Sequence, residues 1–271
     1  MMAETVRRES GLEACFARLR TERRTGLVTY VTAGDPALDR TPGVLMALAR
    51  GGADVIELGI PFSDPLADGP VIQRASERAL AAGTTLERAL DMLAAMRRDL
   101  STPVVVFTYA NPVLRLGAER FAARAAAAGV DGVLVLDLPI EEAGPLRQTL
   151  SATGIDTIFL LSPTTSRARI ERAAALGQGF LYGISRLGVT GARASLSADA
   201  AELARRVRDV TPMPLAMGFG VSTPEHVAEI GRFADAAVVG SAMVSVIAAA
   251  GTSAELEGRV AEYVRWLTGR A

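Results

Sequence analysis

The stretch Glu57-Leu-Gly-Ile-Pro-Phe-Ser-Asp-Pro-Leu-Ala-Asp-Gly-Pro70 hangs three carboxylates on one end of an apolar run that begins at Ala53. A strand that ends in an acid and passes directly into a Pro- and Gly-containing turn is how α/β proteins present chemistry at the carboxyl edge of a parallel sheet. Glu57 closes the strand, and Asp64 and Asp68 follow on the loop. Taken alone, the segment fits equally well an acid that caps the next helix with its neighbours solvated.

Working outward, short apolar runs of strand length recur along the chain at Leu27–Thr32, Asp54–Leu58, Val104–Thr108, Gly132–Asp137, Thr157–Leu161, Phe180–Gly183, Pro214–Met217 and Ala236–Val239. Between them lie Ala- and Arg-rich segments with apolar residues three and four apart, among them Leu86–Arg98, Gly117–Ala128, Glu141–Leu150, Ser166–Leu176 and Ala198–Val210, which predict amphipathic helices. Strands apolar on both faces, alternating strictly with helices, imply a parallel sheet covered by helices. Eight such units predict one α/β domain over residues 1–271, a (β/α)8 TIM barrel with an extra N-terminal helix at Gly11–Arg24 and a closing helix at Ser253–Leu267 that carries Trp266 as a packing residue. An open doubly wound sheet is the alternative, but Val31-Thr-Ala-Gly-Asp-Pro36 stands where its G-x-G-x-x-G would be.

Composition narrows the chemistry. Of 271 residues 49% are hydrophobic and 22% charged, enough for a full core, while a formal charge of -1 and 5% aromatics offer neither a basic field nor stacking platforms for nucleic acid. Cys15 is the only cysteine and His226 the only histidine, so thiolate clusters and multi-histidine metal sites are excluded. A carboxylate-only magnesium site stays open. All 29 basic residues are arginine. Without a lysine there is no side-chain amine for a Schiff base or for covalent pyridoxal phosphate, so any carbon–carbon lyase chemistry must run on acid/base groups. The charged N-terminus lacks the apolar core of a signal peptide, and no apolar run is long enough to span a membrane, which points to a cytoplasmic protein.

In such a barrel the loops after the strands should be read together. Gly218-Phe219-Gly220 and Gly240-Ser241 put small residues after strands seven and eight, where backbone amides and a helix N-terminus can hold a phosphate dianion; tight turns alone are the other reading. The long connection from Ser185 to Ser195, with Thr190 and Gly191, reads as a lid that excludes water, or as a surface loop; Arg186 and Arg193 read as solvated. Tyr30, Phe107 and Tyr182 could wall the mouth or simply pack. His226, within Thr223-Pro-Glu-His226, is expected at a surface helix start and receives no role.

The motifs Glu57 to Pro70, Tyr109-Ala-Asn111-Pro112, Gly188-Val-Thr-Gly191, Gly218-Phe-Gly220 and Val239-Gly-Ser241 together resemble the tryptophan synthase alpha subunit family, in that family's order. The resemblance implies retro-aldol cleavage of indole-3-glycerol phosphate to indole and glyceraldehyde 3-phosphate, with no cofactor and with indole passed to a beta subunit in an alpha2beta2 assembly. Carried over by residue, Glu57 would be the general acid/base, Asp68 would accept the indole N–H, and Tyr182 would position Glu57. Tyr30 and Phe107 would flank the indole, and Thr190, Gly191, Phe219, Gly220, Gly240 and Ser241 would define the phosphate end. Asp64 would be structural. A partly buried Glu57 close to another acid should have a raised pKa, as a proton donor at neutral pH requires. Thr29-Tyr30 and Gly183-Ile184 depart from the family pattern without touching the acids. A stand-alone lyase releasing free indole fits the same motifs; a non-catalytic activating subunit fits less well with Glu57 and Asp68 both present.

Overall fold

Each apolar run pairs with its neighbour in the same direction, and in the computed structural model, which describes residues 10–184, 198–218 and 220–269, the result is a ring. The strands are β1 Gly26–Thr32, β2 Val55–Gly59, β3 Val104–Thr108, β4 Gly132–Val135, β5 in two pieces at Asp156–Thr157 and Phe159–Leu161, β6 Leu181–Ile184, β7 Leu215–Gly218 and β8 Ala236–Val239. The order runs from the first piece of β5 through β4, β3, β2, β1, β8, β7 and β6 to the second piece of β5. Both edges of the sheet are thus one strand, and the barrel closes.

The run Thr157–Leu161, expected to be continuous, is split because its first part pairs with β4 and its second with β6, as the stagger of a tilted barrel requires. Ile158 keeps the ladder intact through the break by donating to the Val133 carbonyl at 2.9 Å. Other boundaries move by a residue or two. Asp137, expected inside the fourth strand, lies beyond it and accepts the Ala110 N–H at 2.7 Å. Helices Thr41–Gly51, Pro70–Ala81, Ala110–Leu116, Pro224–Ile230 and Ser241–Ala250 complete the outer layer.

Although the strands are apolar on both faces, their alternation still sorts two cores. Outward residues such as Leu27, Val31, Ile56, Leu58, Val104 and Val106 pack against the helices. Inward residues Val28, Val55, Val105, Leu134, Ile158, Phe180 and Ala236 pack on Leu12, Cys15, Phe16 and Leu19 of the N-terminal helix Gly11–Thr21. That helix starts at a capping box, Ser10 with Glu13, and its Phe16 ring sits 5.3 Å from Phe180. Burying four such side chains, at about 1.5–3 kcal/mol for each large one, plugs the amino end of the barrel. The closing helix, Leu256–Thr268, differs from expectation in one respect: Trp266 is half exposed and stacks on Tyr263 at 5.6 Å.

A repeated clamp ties strand starts together at the plugged end. Asp54, just before β2, accepts the Leu27 N–H of β1 at 2.9 Å and takes the Arg24 guanidinium on both oxygens at 2.7 Å. Asp131, before β4, does the same for Val104 of β3 and Arg97, both at 2.8 Å. Asp235, before β8, holds Leu215 of β7 at 2.7 Å together with Arg208. In each case a backbone N–H and an arginine guanidinium converge on one carboxylate, a charge-assisted arrangement stronger than a neutral bond.

Removing such a carboxylate leaves both partners unsatisfied. Asp54→Ala should lower the unfolding free energy by about 2–4 kcal/mol in urea denaturation. Asp209→Ala, whose partner Arg205 is largely exposed, should cost less than about 0.5 kcal/mol. Equal costs for the two would show that the clamp adds nothing beyond a surface pair.

Candidate active site

Alternation carries the inward face of the strands up to the mouth, where the last layer is Tyr30 from β1, Glu57 from β2, Phe107 from β3 and Tyr182 from β6. Tyr30 and Phe107 meet edge to face at 5.3 Å, and Phe107 and Tyr182 lie 6.5 Å apart. Two glycines make room for these rings. A Cβ on Gly59 would stand 2.1 Å from the Tyr30 hydroxyl, and one on Gly218 would stand 2.7 Å from the Tyr182 hydroxyl. Above the ring layer opens a cavity of about 280 Å³.

Glu57 is completely buried in its wall, and neither carboxyl oxygen has a hydrogen-bond partner among the described residues. Burial alone pushes its pKa up to about 8. The expected contribution from a neighbouring acid does not enter: desolvation is the whole cause. Nor does Tyr182 hydrogen-bond Glu57; its hydroxyl is seated over Gly218. At neutral pH Glu57 is therefore mostly a neutral acid.

Asp68 sits on the loop between β2 and helix Pro70–Ala81, and its environment is different in kind. The Tyr109 hydroxyl donates to it at 2.9 Å, and that hydroxyl in turn accepts the Ala67 N–H at 3.2 Å. Gln73 bridges the loop by donating to the Asp68 and Pro65 carbonyls at 2.9 and 3.3 Å. Burial raises the Asp68 pKa to about 6 while the Tyr109 bond works against the rise. Asp68 is consequently ionised at pH 7. Asp64 is exposed, bonded to the Ser63 hydroxyl at 2.6 Å, and lines no part of the cavity.

Across the mouth, Gly220, Ser222, Gly240 and Ser241 line the opposite end, with Ala242 and Ser245 on helix Ser241–Ala250. The first turn of that helix has no side-chain cap, which leaves its amides without a side-chain acceptor, and the cavity lining contains neither arginine nor lysine among the described residues. Thr190, Gly191 and Phe219, together with Arg186 and Arg193, lie outside the described residues. Among the described residues no three His, Cys, Asp or Glu side chains converge as a metal site would, and no helix is long and apolar enough to cross a membrane.

Sequence reading missed several residues of the site. Tyr109 was visible within the Tyr109 to Pro112 motif, but nothing in its spacing announced a bond to Asp68. Leu136, Leu160 and Val238 also line the cavity; each lies two residues beyond an inward residue, Leu134, Ile158 or Ala236, so strand alternation held the signal. His226 corrects an expectation of surface exposure: it is 7% exposed, and its Nδ1 accepts the Ser222 N–H at 3.3 Å. Of the two departures at Thr29-Tyr30, Tyr30 faces the cavity and Thr29 the outer core, where its hydroxyl has no partner.

Residues 16–267 match the protein family described as tryptophan synthase alpha chain. The chain is similar to the tryptophan synthase alpha chain of Solibacter usitatus, 52% identical over 252 residues that cover 93% of this chain and 94% of that one. It is similarly related to the alpha chain of Geobacter sulfurreducens, 48% identical with 94% and 96% covered. Among solved structures, tryptophan synthase from Mycobacterium tuberculosis superposes with a TM-score of 0.88 at 35% identity, covering 97% of this chain and 98% of that chain. The tryptophan synthase complex from Pyrococcus furiosus does so with a TM-score of 0.83 at 39% identity, covering 90% and 98%.

The state of Glu57 makes a stability prediction. Its pKa rises on folding from 4.5 to about 8, so between those values the folded chain holds a proton that the unfolded chain has released. Native stability therefore falls as pH rises through that window. Glu57→Gln does not titrate and escapes the loss. The variant should be close to the parent in Tm at pH 4.5 and gain on it by roughly 1.4 kcal/mol per pH unit towards pH 8; a pH-independent difference would show that the carboxyl is not held neutral.

Proposed function

The chain belongs to the tryptophan synthase alpha chain family, and on that premise we propose how its barrel mouth performs the family's chemistry. A tryptophan synthase alpha chain is an indole-3-glycerol-phosphate lyase, which breaks a carbon–carbon bond. In our reading indole-3-glycerol phosphate lies with its ring between the Tyr30 and Phe107 side and Asp68, and with its phosphate against Gly220, Gly240, Ser241 and the uncapped helix start. Thr190, Gly191 and Phe219 belong to the same phosphate end in this proposal.

Glu57, as the neutral acid, gives its proton to the ring carbon that bears the glycerol chain. Asp68 accepts the indole N–H and so stabilises the positive charge that protonation places on the ring. The Glu57 carboxylate then takes the proton of the adjacent glycerol hydroxyl. As that O–H bond breaks a carbonyl forms, the bond to the ring breaks, and its electrons return to the protonated ring, which leaves as indole. The other product is glyceraldehyde 3-phosphate, and Glu57 ends with a proton as it began. One carboxyl can serve both transfers because the two sites are on neighbouring carbons. Tyr182 contributes the far wall of the pocket, and Tyr109 holds Asp68 in place and ionised.

What supports this reading most is the buried, unpartnered Glu57 carboxyl with a pKa near neutrality at the end of β2. Such a group has no structural employment, and its proton is available at the working pH. The tryptophan synthase complexes among the structural relatives support a beta-subunit partner, and we propose an alpha2beta2 assembly that passes indole to a beta subunit holding pyridoxal phosphate. No lysine of this chain could hold that cofactor. We read the assembly as cytoplasmic, in keeping with a lone Cys15 whose thiol burial keeps protonated, with a pKa of about 11.

Glu57→Gln should reduce kcat for indole release by about 100- to 10,000-fold while glyceraldehyde 3-phosphate still binds; near-normal turnover would sink the assignment. In the parent chain kcat/KM should be lost as pH falls through about 6, when Asp68 is protonated, and as pH rises through about 8, when Glu57 ionises. Asp68→Asn should abolish the acidic limb and leave the basic one. A co-purified beta chain should stimulate indole formation, and absence of any stimulation would favour a free-standing lyase.

A further inference from the structure

Ser222 stands at the phosphate end of the mouth with its backbone engaged from two directions. Its N–H donates to His226 Nδ1 at 3.3 Å, and its carbonyl accepts the Tyr263 hydroxyl at 2.8 Å. His226 belongs to the short helix Pro224–Ile230 that begins right after the loop, and Tyr263 to the last helix, Leu256–Thr268. Neither side chain lines the cavity, whereas Gly220, Val221 and Ser222 all do. The Ser222 hydroxyl has no hydrogen-bond partner among the described residues.

We propose that His226 and Tyr263 are positioning residues for the phosphate: by fixing the peptide units before and after Ser222 they set where the 220–222 segment meets the dianion, and the Ser222 hydroxyl is a further donor to it. The inference rests on the phosphate reading given above. A dianion held without arginine or lysine relies on several neutral donors, each useful only within a few tenths of an ångström of hydrogen-bond distance. A glycine-containing loop does not keep such an alignment by itself. An imidazole acceptor and a phenol donor, brought from two different helices, hold the two successive peptide units that flank Ser222, and with them the end of the 220–222 segment. His226 accepts through Nδ1, so its neutral form carries its proton on Nε2. Tyr263 is supported in turn by stacking on Trp266.

The isolated full chain tests this. Tyr263→Phe keeps the ring and its stacking on Trp266 but removes the donor, and His226→Leu removes the acceptor. Each should raise KM for indole-3-glycerol phosphate and Kd for glyceraldehyde 3-phosphate about fivefold, with kcat within about twofold and indole affinity unchanged. His226→Asn, which restores an acceptor near the Nδ1 position, should recover most of the loss, and Ser222→Ala should weaken phosphate ligands by a similar factor. Unchanged affinity for glyceraldehyde 3-phosphate in Tyr263→Phe and His226→Leu, or equal weakening of indole and phosphate ligands, would overturn the positioning role. Ser241→Asp separates the two readings, since it sets a carboxylate against the phosphate. If it too leaves glyceraldehyde 3-phosphate binding unchanged, the phosphate reading itself falls; if it alone weakens binding, only the role of His226 and Tyr263 falls.

Discussion

A carboxyl group with no hydrogen-bond partner among the described residues, buried at the end of a barrel strand, is the constraint on which the rest of this structure depends. An ionised carboxylate in that place would carry a desolvation penalty of several kcal/mol, and the protein avoids it by keeping Glu57 protonated. For that to work water must be kept out from below. The N-terminal helix does this, with Phe16 against Phe180 and with Leu12 and Leu19 closing the remaining gap. The acid clamps at Asp54, Asp131 and Asp235 fix the strand starts around the same plug. Glu57 is the buried acid at the top of the barrel, while Asp156, buried at the amino end, accepts the Ser10 hydroxyl.

The two acids of the mouth differ by environment rather than by type. Glu57 is buried without a hydrogen-bond partner among the described residues and stays mostly neutral, whereas Asp68 receives the Tyr109 hydroxyl and is mostly ionised at pH 7. A proton donor and an anionic acceptor of a developing positive charge are thus present together at one pH, the separation of roles that acid/base chemistry by carboxylates needs. Less complete burial and the phenol together distinguish Asp68 from Glu57. Tyr109 is itself held by the Ala67 N–H and lies beside Phe62 at 5.0 Å, so the loop bearing Asp68 is ordered by contacts that do not involve a ligand.

The fold was legible because apolar runs at regular spacing leave few alternatives, and the position of Glu57 at a strand end followed from the same pattern. Interactions between residues distant in sequence were not. That Tyr109 would reach back 41 residues to Asp68, or that His226 would turn inward to Ser222, depends on loop geometry that no periodicity encodes. The role expected for Tyr182 illustrates the same limit: its place on β6 was read correctly, but the direction of its hydroxyl is decided by the space that Gly218 leaves on the next strand. Likewise the reason for the raised Glu57 pKa is simpler than expected, since burial suffices without a second acid.

The absence of lysine and arginine from the described lining of the cavity now acquires a reason beyond the exclusion of imine chemistry. A cation within several ångströms of Glu57, in so dry a site, would favour the carboxylate and pull its pKa below the range in which it can donate a proton. Neutral amides, hydroxyls and a helix dipole can hold a dianion at the opposite end with much less effect at that distance, because their fields fall off faster than that of a full charge. The dianion, once bound, acts in the favourable direction: its negative charge further disfavours ionisation of Glu57. It also opposes ionisation of Asp68, and there the Tyr109 bond supplies the counterweight. Anion binding by neutral donors and acid catalysis by a buried carboxyl are therefore parts of a single electrostatic design, and introducing a basic residue at the phosphate end would tighten binding at the expense of the proton that the reaction uses.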